Sequence, residues 1–214
     1  MSPDGAGQRL NALLEQSGLG PLDEETVRKF EIYLSLIIRW NTRLNLTSLR
    51  TEDAIISRHL AESIACARAI SSDVRTLLDF GSGAGLPGIP IALCRPEIAV
   101  TLAESRGKKA AFLQEAVRAL GIAAKVHAGR AEALDATFDC VTLRAVDKMP
   151  KAVAAAVPLV TPGGWLALMT TNTDLAELQR AAGSEFSWIS ATPLHGAADR
   201  IVVFGRRRPS AQVR

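Results

Sequence analysis

Aromatic residues are scarce in this sequence, at 5%, with a single tyrosine. That argues against an extended stacking platform for single-stranded nucleic acid, which needs several rings along one groove. There are only three cysteines, Cys66, Cys94 and Cys140, far apart in the chain. No pair has the spacing of metal ligands, and an odd, sparse set argues against a disulfide framework. All three are expected to be reduced and packed. No apolar run approaches the roughly 20 residues that cross a bilayer. Met1 to Leu10 holds no apolar stretch of signal-peptide type, so a cytoplasmic protein is expected. Charge of one sign is not in large excess either. The net charge is +3 and the isoelectric point about 9.0, which permits a nucleic-acid partner without requiring one.

What is present suffices for a folded core. The 214 residues are 48% hydrophobic and 22% charged, which suits one globular domain with an appendage. The pattern changes character near residue 72. Before it, Val27, Phe30, Leu34 and Ile37 recur at helical steps, with Tyr33 and Ile38 widening the stripe. Asp23-Glu24-Glu25 places acids where a helix dipole favours them. Further helices are predicted over about 8–16 and 52–70, and no strand. Residues 1–71 thus form a helical extension.

After residue 72, strands and helices alternate. Strands are predicted over 74–80, 98–103, 124–128, 138–145 and 165–170, and helices over 86–94, 107–120, about 146–159 and 174–182. Two last strands, 187–192 and 200–204, have no long helix between them. This order predicts a mostly parallel sheet covered on both faces, with an antiparallel pair at one edge. Residues 72–214 thus form a Rossmann-like α/β core of seven strands.

The chemistry starts at Gly81-Ser82-Gly83-Ala84-Gly85-Leu86-Pro87-Gly88, which follows the first strand and opens a helix. In such sheets nucleotides bind outside the carboxyl ends of the strands, where glycines let a ligand approach the backbone and helix amides face it. The third glycine, Gly85, stands one residue earlier than the dinucleotide fingerprint requires; that position holds Leu86. Gly-x-Gly-x-Gly resembles the loop of class I S-adenosylmethionine methyltransferases. Asp79, at the strand end, is placed to face the cationic methionine moiety directly or through water. Glu104, closing the next strand, is placed to accept hydrogen bonds from ribose hydroxyls. On spacing alone the chain is a cofactor-binding α/β enzyme, with a nicotinamide enzyme disfavoured.

Three stretches sharpen this: Trp40-Asn41 with Asn45-Leu46-Thr47; Arg58-His59-Leu60 with Glu62-Ser63; and Asp79 through Gly85-Leu86-Pro87-Gly88-Ile89-Pro90. In this order, and with Glu104 to Lys109 and Arg144-Ala145-Val146, the chain resembles the RsmG/GidB family over roughly residues 10–205. That family methylates guanine N7 in bacterial 16S ribosomal RNA. The resemblance implies an S-adenosylmethionine site at Gly81 and Leu86, with Gly83 and Gly85 in the same loop. It also implies contacts from Ala131 and Glu132 near the adenine, and from Arg144. Glu62 and Glu104 stand where aspartate is commoner in the family, keeping the carboxylate on an arm one methylene longer.

N7 of guanine carries a lone pair and no proton, so methyl transfer to it is a direct in-line displacement. No general base is required, and alignment supplies much of the acceleration. Arg144 is the residue expected to position base or cofactor, as the catalytic candidate. Arg58 and His59 are candidates to face the RNA or the pocket. Asn41 and Asn45, four apart, suit either one helix face near the site or a helix end. Phosphate contacts come from Lys and Arg: Arg39, Arg43, Arg50 and Arg58 in the front, Lys108 and Lys109 near the cofactor, and Arg206 to Arg208. The expected partner is the small ribosomal subunit, with no membrane and the chain a monomer. A small-molecule methyltransferase and a non-catalytic cofactor-responsive RNA-binding module share these features.

Overall fold

The computed structural model of the chain describes residues 5–189, 191–194 and 199–209. The front part is helical: α1 (Ala6–Gln16), α2 (Glu24–Leu44), α3 (Glu52–Ile55), a π-helical segment (Ile56–Ala61) and α4 (Glu62–Ala69). Asp23 caps α2, accepting from the Thr26 N–H at 2.9 Å, and Asn45 ends it in the left-handed region. Phe30, Tyr33, Leu34, Ile37 and Asn41 form its buried face. Ile38 lies outside that stripe, 40% exposed, and Leu36 is buried in its place. The helix predicted over 52–70 is present, but its middle turn is wider than α, which the periodicity did not indicate.

The core follows as β1 (Thr76–Phe80), α5 (Gly88–Cys94), β2 (Ala99–Ala103), α6 (Gly107–Leu120), β3 (Lys125–His127), β4 (Phe138–Arg144), α7 (Met149–Ala156), β5 (Val160–Thr171), α8 (Asn172–Ala182), β6 (Phe186–Trp188), β7 (Thr192–Pro193) and β8 (Arg200–Arg207). The sheet order is β3-β2-β1-β4-β5-β8-β6, with β7 also on β8. The first five strands are parallel, and β8 runs antiparallel to β5. The sheet has eight strands rather than seven. The single strand predicted over 187–192 is two, β6 and β7, both antiparallel to β8 but one residue out of register with each other. Ser190, within that span, lies outside the described residues, as do Met1 to Asp4 of the N-terminus.

Successive strand residues face opposite sides, and the core divides accordingly. Leu77, Leu102, Cys140, Ala167 and Val202 pack with α1, α2, α4, α5 and α6. Their neighbours Leu78, Ala103, Val141, Leu166, Leu168 and Val203 pack with α7 and α8. The front helices thus share one hydrophobic cluster with a whole face of the sheet. Trp40 joins this face, donating to Glu115 at 3.0 Å and packing edge-on against Phe112. The three cysteines are unpaired. Burial pushes the Cys66 and Cys94 thiols up to about 12, and Cys140 upward too, so all three stay protonated.

Candidate active site

β1 delivers the glycine loop to the carboxyl end of the sheet, and the loop's glycines do two different jobs. Gly81 and Gly83 line a cavity of about 780 Å³, within the range that holds a cofactor-sized ligand. Gly85 and Gly88 instead face the core. A Cβ on Gly85 would lie 2.5 Å from Ile89 Cδ1, and one on Gly88 2.3 Å from Leu102 Cδ2. Those absent atoms let α5 dock against β1 and β2. Tyr33 braces the loop from α2, its hydroxyl donating to the Ala84 carbonyl at 2.5 Å.

Asp79 does not line the cavity. Its carboxylate is buried at 1% exposure and accepts from Thr142 Oγ1 at 3.0 Å and from the Gly88 N–H at 3.2 Å. Thr142 is its partner across the β1–β4 ladder, so the sheet itself turns this side chain inward. Burial lifts its pKa to about 6. The residue expected to face the methionine moiety instead holds the start of α5.

Glu104 does face the cavity, with a buried arm. One oxygen accepts from the Gly83 N–H at 2.9 Å and the other from the Arg106 N–H at 2.7 Å. Two fixed donors orient the carboxylate, and a carboxylate has about four lone-pair sites, so acceptor capacity remains for a vicinal diol. Ala131 and Glu132 line the same cavity just past β3, and Leu86 closes it beside the loop.

The opposite wall comes from the front helices. Arg144, ending β4, reaches into the π-helical segment. Its guanidinium donates to Glu62 Oε2 and Ser63 Oγ, both at 3.0 Å, to the carbonyls of Arg58 and His59, and to His59 Nδ1 at 3.1 Å. Glu62 is 2% exposed and binds a second arginine, Arg200, at 2.6 Å. Two cations flank one buried carboxylate whose oxygens each accept from one of them, the condition under which a buried ion pair is tolerated. Beyond it, His59 Nε2 lies 2.6 Å from Thr47 Oγ1. Burial, and then the Arg144 charge, hold His59 at a pKa of about 3, so the ring is neutral. Asn41 clasps the loop that carries Thr47, accepting from the Thr47 N–H at 2.9 Å and donating to the Leu49 carbonyl at 3.2 Å.

The structure therefore brings Gly81, Gly83, Leu86, Glu104, Ala131, Glu132, His59 and Arg144 to one cavity. It puts Asp79, Gly85 and Asn41 behind that cavity as supports. Asn45 ends its helix and accepts from Arg50 at 3.3 Å rather than lining the site. Arg58 and Lys108 are exposed, off the cavity lining. Lys109 lines it, one residue further into α6. Arg39 pairs with Glu115 and Arg207 with Glu185, while Arg206 stacks over Trp165 at 5.1 Å. Thr47 and Arg200 were not singled out in the sequence. Thr47 lay within the Asn45-Leu46-Thr47 motif, whereas Arg200 is 138 residues from Glu62 and left no local signal.

A parallel sheet in this strand order, a glycine loop after β1 and an acid closing β2 define a class I S-adenosylmethionine-dependent methyltransferase. Solved structures carry the same fold: a methyltransferase from Pyrococcus furiosus with a TM-score of 0.60 and 14% identity, covering 82% of this chain and 95% of that one. The mitomycin 7-O-methyltransferase MmcR gives a TM-score of 0.61 at 14% identity, covering 95% and 74%. Sequence comparison goes further. Residues 26–195 match the family model GidB, rRNA small subunit methyltransferase G, and the chain belongs to that family. It is 42% identical over 172 residues to Ribosomal RNA small subunit methyltransferase G of Xanthomonas campestris pv. campestris (strain B100), covering 79% of this chain and 78% of the relative. It is 43% identical over 152 residues to the protein of that name from Stenotrophomonas maltophilia (strain K279a), covering 68% and 71%.

Proposed function

We propose that this protein transfers the methyl group of S-adenosylmethionine to N7 of a guanosine in the 16S rRNA of the small ribosomal subunit. The observation that carries the reading is the single cavity with two unlike walls. One is the glycine loop and Glu104; the other is Thr47 and His59 of the helical front part, joined by Arg144 from the end of β4. A small cofactor alone does not require the second wall, and a base to be methylated does.

The residues fit the cofactor. Glu104 is oriented to accept the ribose hydroxyls, Ala131 and Glu132 border the adenine end, and the bare backbone of Gly81 and Gly83 admits the methionine portion. When bound, S-adenosylmethionine supplies an electrophilic methyl group on a sulfonium. The chain's own task is alignment, because N7 needs no deprotonation. His59, neutral and hydrogen-bonded on both nitrogens, is not a proton carrier. Arg144 acts as a positioning residue: its donors tie β4 to the π-helical segment and set the distance between the two walls. The exposed side chains of Arg58 and Lys108 are available to RNA phosphates. Residues 1–71 serve as the base-binding half of the enzyme, and residues 72–214 as the cofactor-binding half. The same reading takes the chain to act as a monomer. Among the described residues no helix is long and apolar enough to cross a membrane; the ribosomal RNA substrate proposed here implies work in the cytoplasm.

The test is methyl transfer from labelled S-adenosylmethionine to small subunits taken from cells lacking this protein, with nucleoside analysis. Stoichiometric 7-methylguanosine at one site is expected. Tight cofactor binding with no incorporation would turn the assignment toward a small-molecule substrate or a non-catalytic binder.

A further inference from the structure

The donor and acceptor roles along the front wall are determined by chemistry, link by link. Arg144 can only donate, so its 3.1 Å contact with His59 Nδ1 assigns that ring nitrogen as an acceptor, sharing the two Nη2 hydrogens with the Arg58 carbonyl and Glu62. A neutral imidazole that accepts at Nδ1 carries its proton on Nε2. His59 Nε2–H therefore donates to Thr47 Oγ1 across 2.6 Å. The Leu49 N–H donates to the same oxygen at 3.1 Å. A hydroxyl oxygen has two lone pairs and one proton, and both lone pairs are now occupied. The remaining proton has no acceptor among these partners, and Thr47 lines the cavity.

From this we infer that Thr47 presents a fixed hydrogen-bond donor to O6 of the target guanine and so selects guanine over adenine. The inference rests on the function proposed above. The Hoogsteen edge of guanine presents two acceptors, N7 and O6, whereas adenine presents N7 and an amino donor. With N7 turned to the methyl group, the neighbouring exocyclic atom decides which base is accepted. A free threonine hydroxyl would suit either base by rotating. This one cannot, because His59 and Leu49 hold its lone pairs. Asn41 keeps the hydroxyl in place by clasping the backbone on both sides of it. Glu62, Arg144 and His59 thus act on base choice through Thr47, without touching the base.

The experiment compares unaltered enzyme, Thr47→Val and Thr47→Ser in single-turnover methyl transfer to unmethylated small subunits, alongside equilibrium binding of S-adenosylmethionine. Thr47→Val should slow transfer about 5- to 150-fold, the range for leaving one acceptor, O6, unpaired away from water, with cofactor affinity unchanged. Thr47→Ser should restore most of the rate. A second substrate, subunits reconstituted with 2-aminopurine at the target position, keeps N7 and lacks O6. On it the unaltered enzyme should fall to the Thr47→Val rate, and Thr47→Val should fall no further. That arm does not depend on how a variant folds. Equal rates on guanine and 2-aminopurine by the unaltered enzyme would overturn the inference while leaving the methyltransferase reading intact. So would a Thr47→Val loss that appears wholly as weaker cofactor binding. No transfer at all by the unaltered enzyme would remove the function itself, and the inference with it.

Discussion

The two walls of the cavity are built on opposite plans. The cofactor wall is made of backbone: Gly81, Gly83 and the amides that hold Glu104, with Gly85 and Gly88 letting α5 approach. The front wall is made of long side chains: Glu62, Arg144, Arg200 and His59, joined across 138 residues of sequence. The first excludes atoms and the second depends on them. A wall of the first kind is damaged by adding a methyl group, and one of the second kind by removing a charge.

The sharpest test of that contrast is Glu62→Ala. It leaves Arg144 without its buried carboxylate and should cost about 3–5 kcal/mol of stability, as breaking a buried ion pair does. Urea denaturation measures it; a loss under 1 kcal/mol would mean the wall does not rely on this charge. Next comes Gly88→Ala, which puts a Cβ 2.3 Å from Leu102 Cδ2 and 2.7 Å from Asp79 Oδ2. Overpacking of this kind costs about 1–3 kcal/mol, and cofactor affinity should fall with it as the loop shifts. Unchanged melting and cofactor titration would show that this wall has slack.

The smallest effect is one of pH, and there the walls oppose each other. Burial raises Asp79 to about 6 from 3.8, so between those values the folded chain holds a proton that the unfolded chain lacks. Stability from this group falls as pH rises. His59 is lowered to about 3 from 6.5, so through the same window the unfolded chain holds the extra proton, and stability rises with pH. From about pH 4 to 6 the two slopes offset. Asp79→Asn should leave a rising slope of up to about 1.4 kcal/mol per pH unit, and His59→Gln a falling one. Denaturation midpoints across that range measure the tilt; parallel profiles for the two variants would refute it.

The contrast also explains what the sequence made legible. The cofactor wall depends on local order, strand then glycine loop then helix, so its residues are contiguous and spacing exposes them. Asp79 is the exception, because its direction is set by pairing with Thr142, 63 residues on. The front wall depends on contacts between distant segments. Arg144 and His59 could be nominated separately, but not their bond. The π-helical turn was hidden because one wider turn barely disturbs a helical hydrophobic stripe. Lys108 and Lys109 could not be told apart because the sequence does not say which way the first turn of α6 faces; only Lys109 lines the cavity. The eighth strand was hidden by a one-residue change of register, which hydropathy does not report.

Tyr33 sits at the seam between the walls, and it is the only tyrosine in the chain. Burial holds its phenol well above the ordinary value of 10. Tyrosinate absorbance is therefore an optical signal with one source, silent while the seam is closed. Its appearance near pH 10 would mark α2 parting from the glycine loop, giving this molecule a built-in chromophore for the contact that joins its two halves.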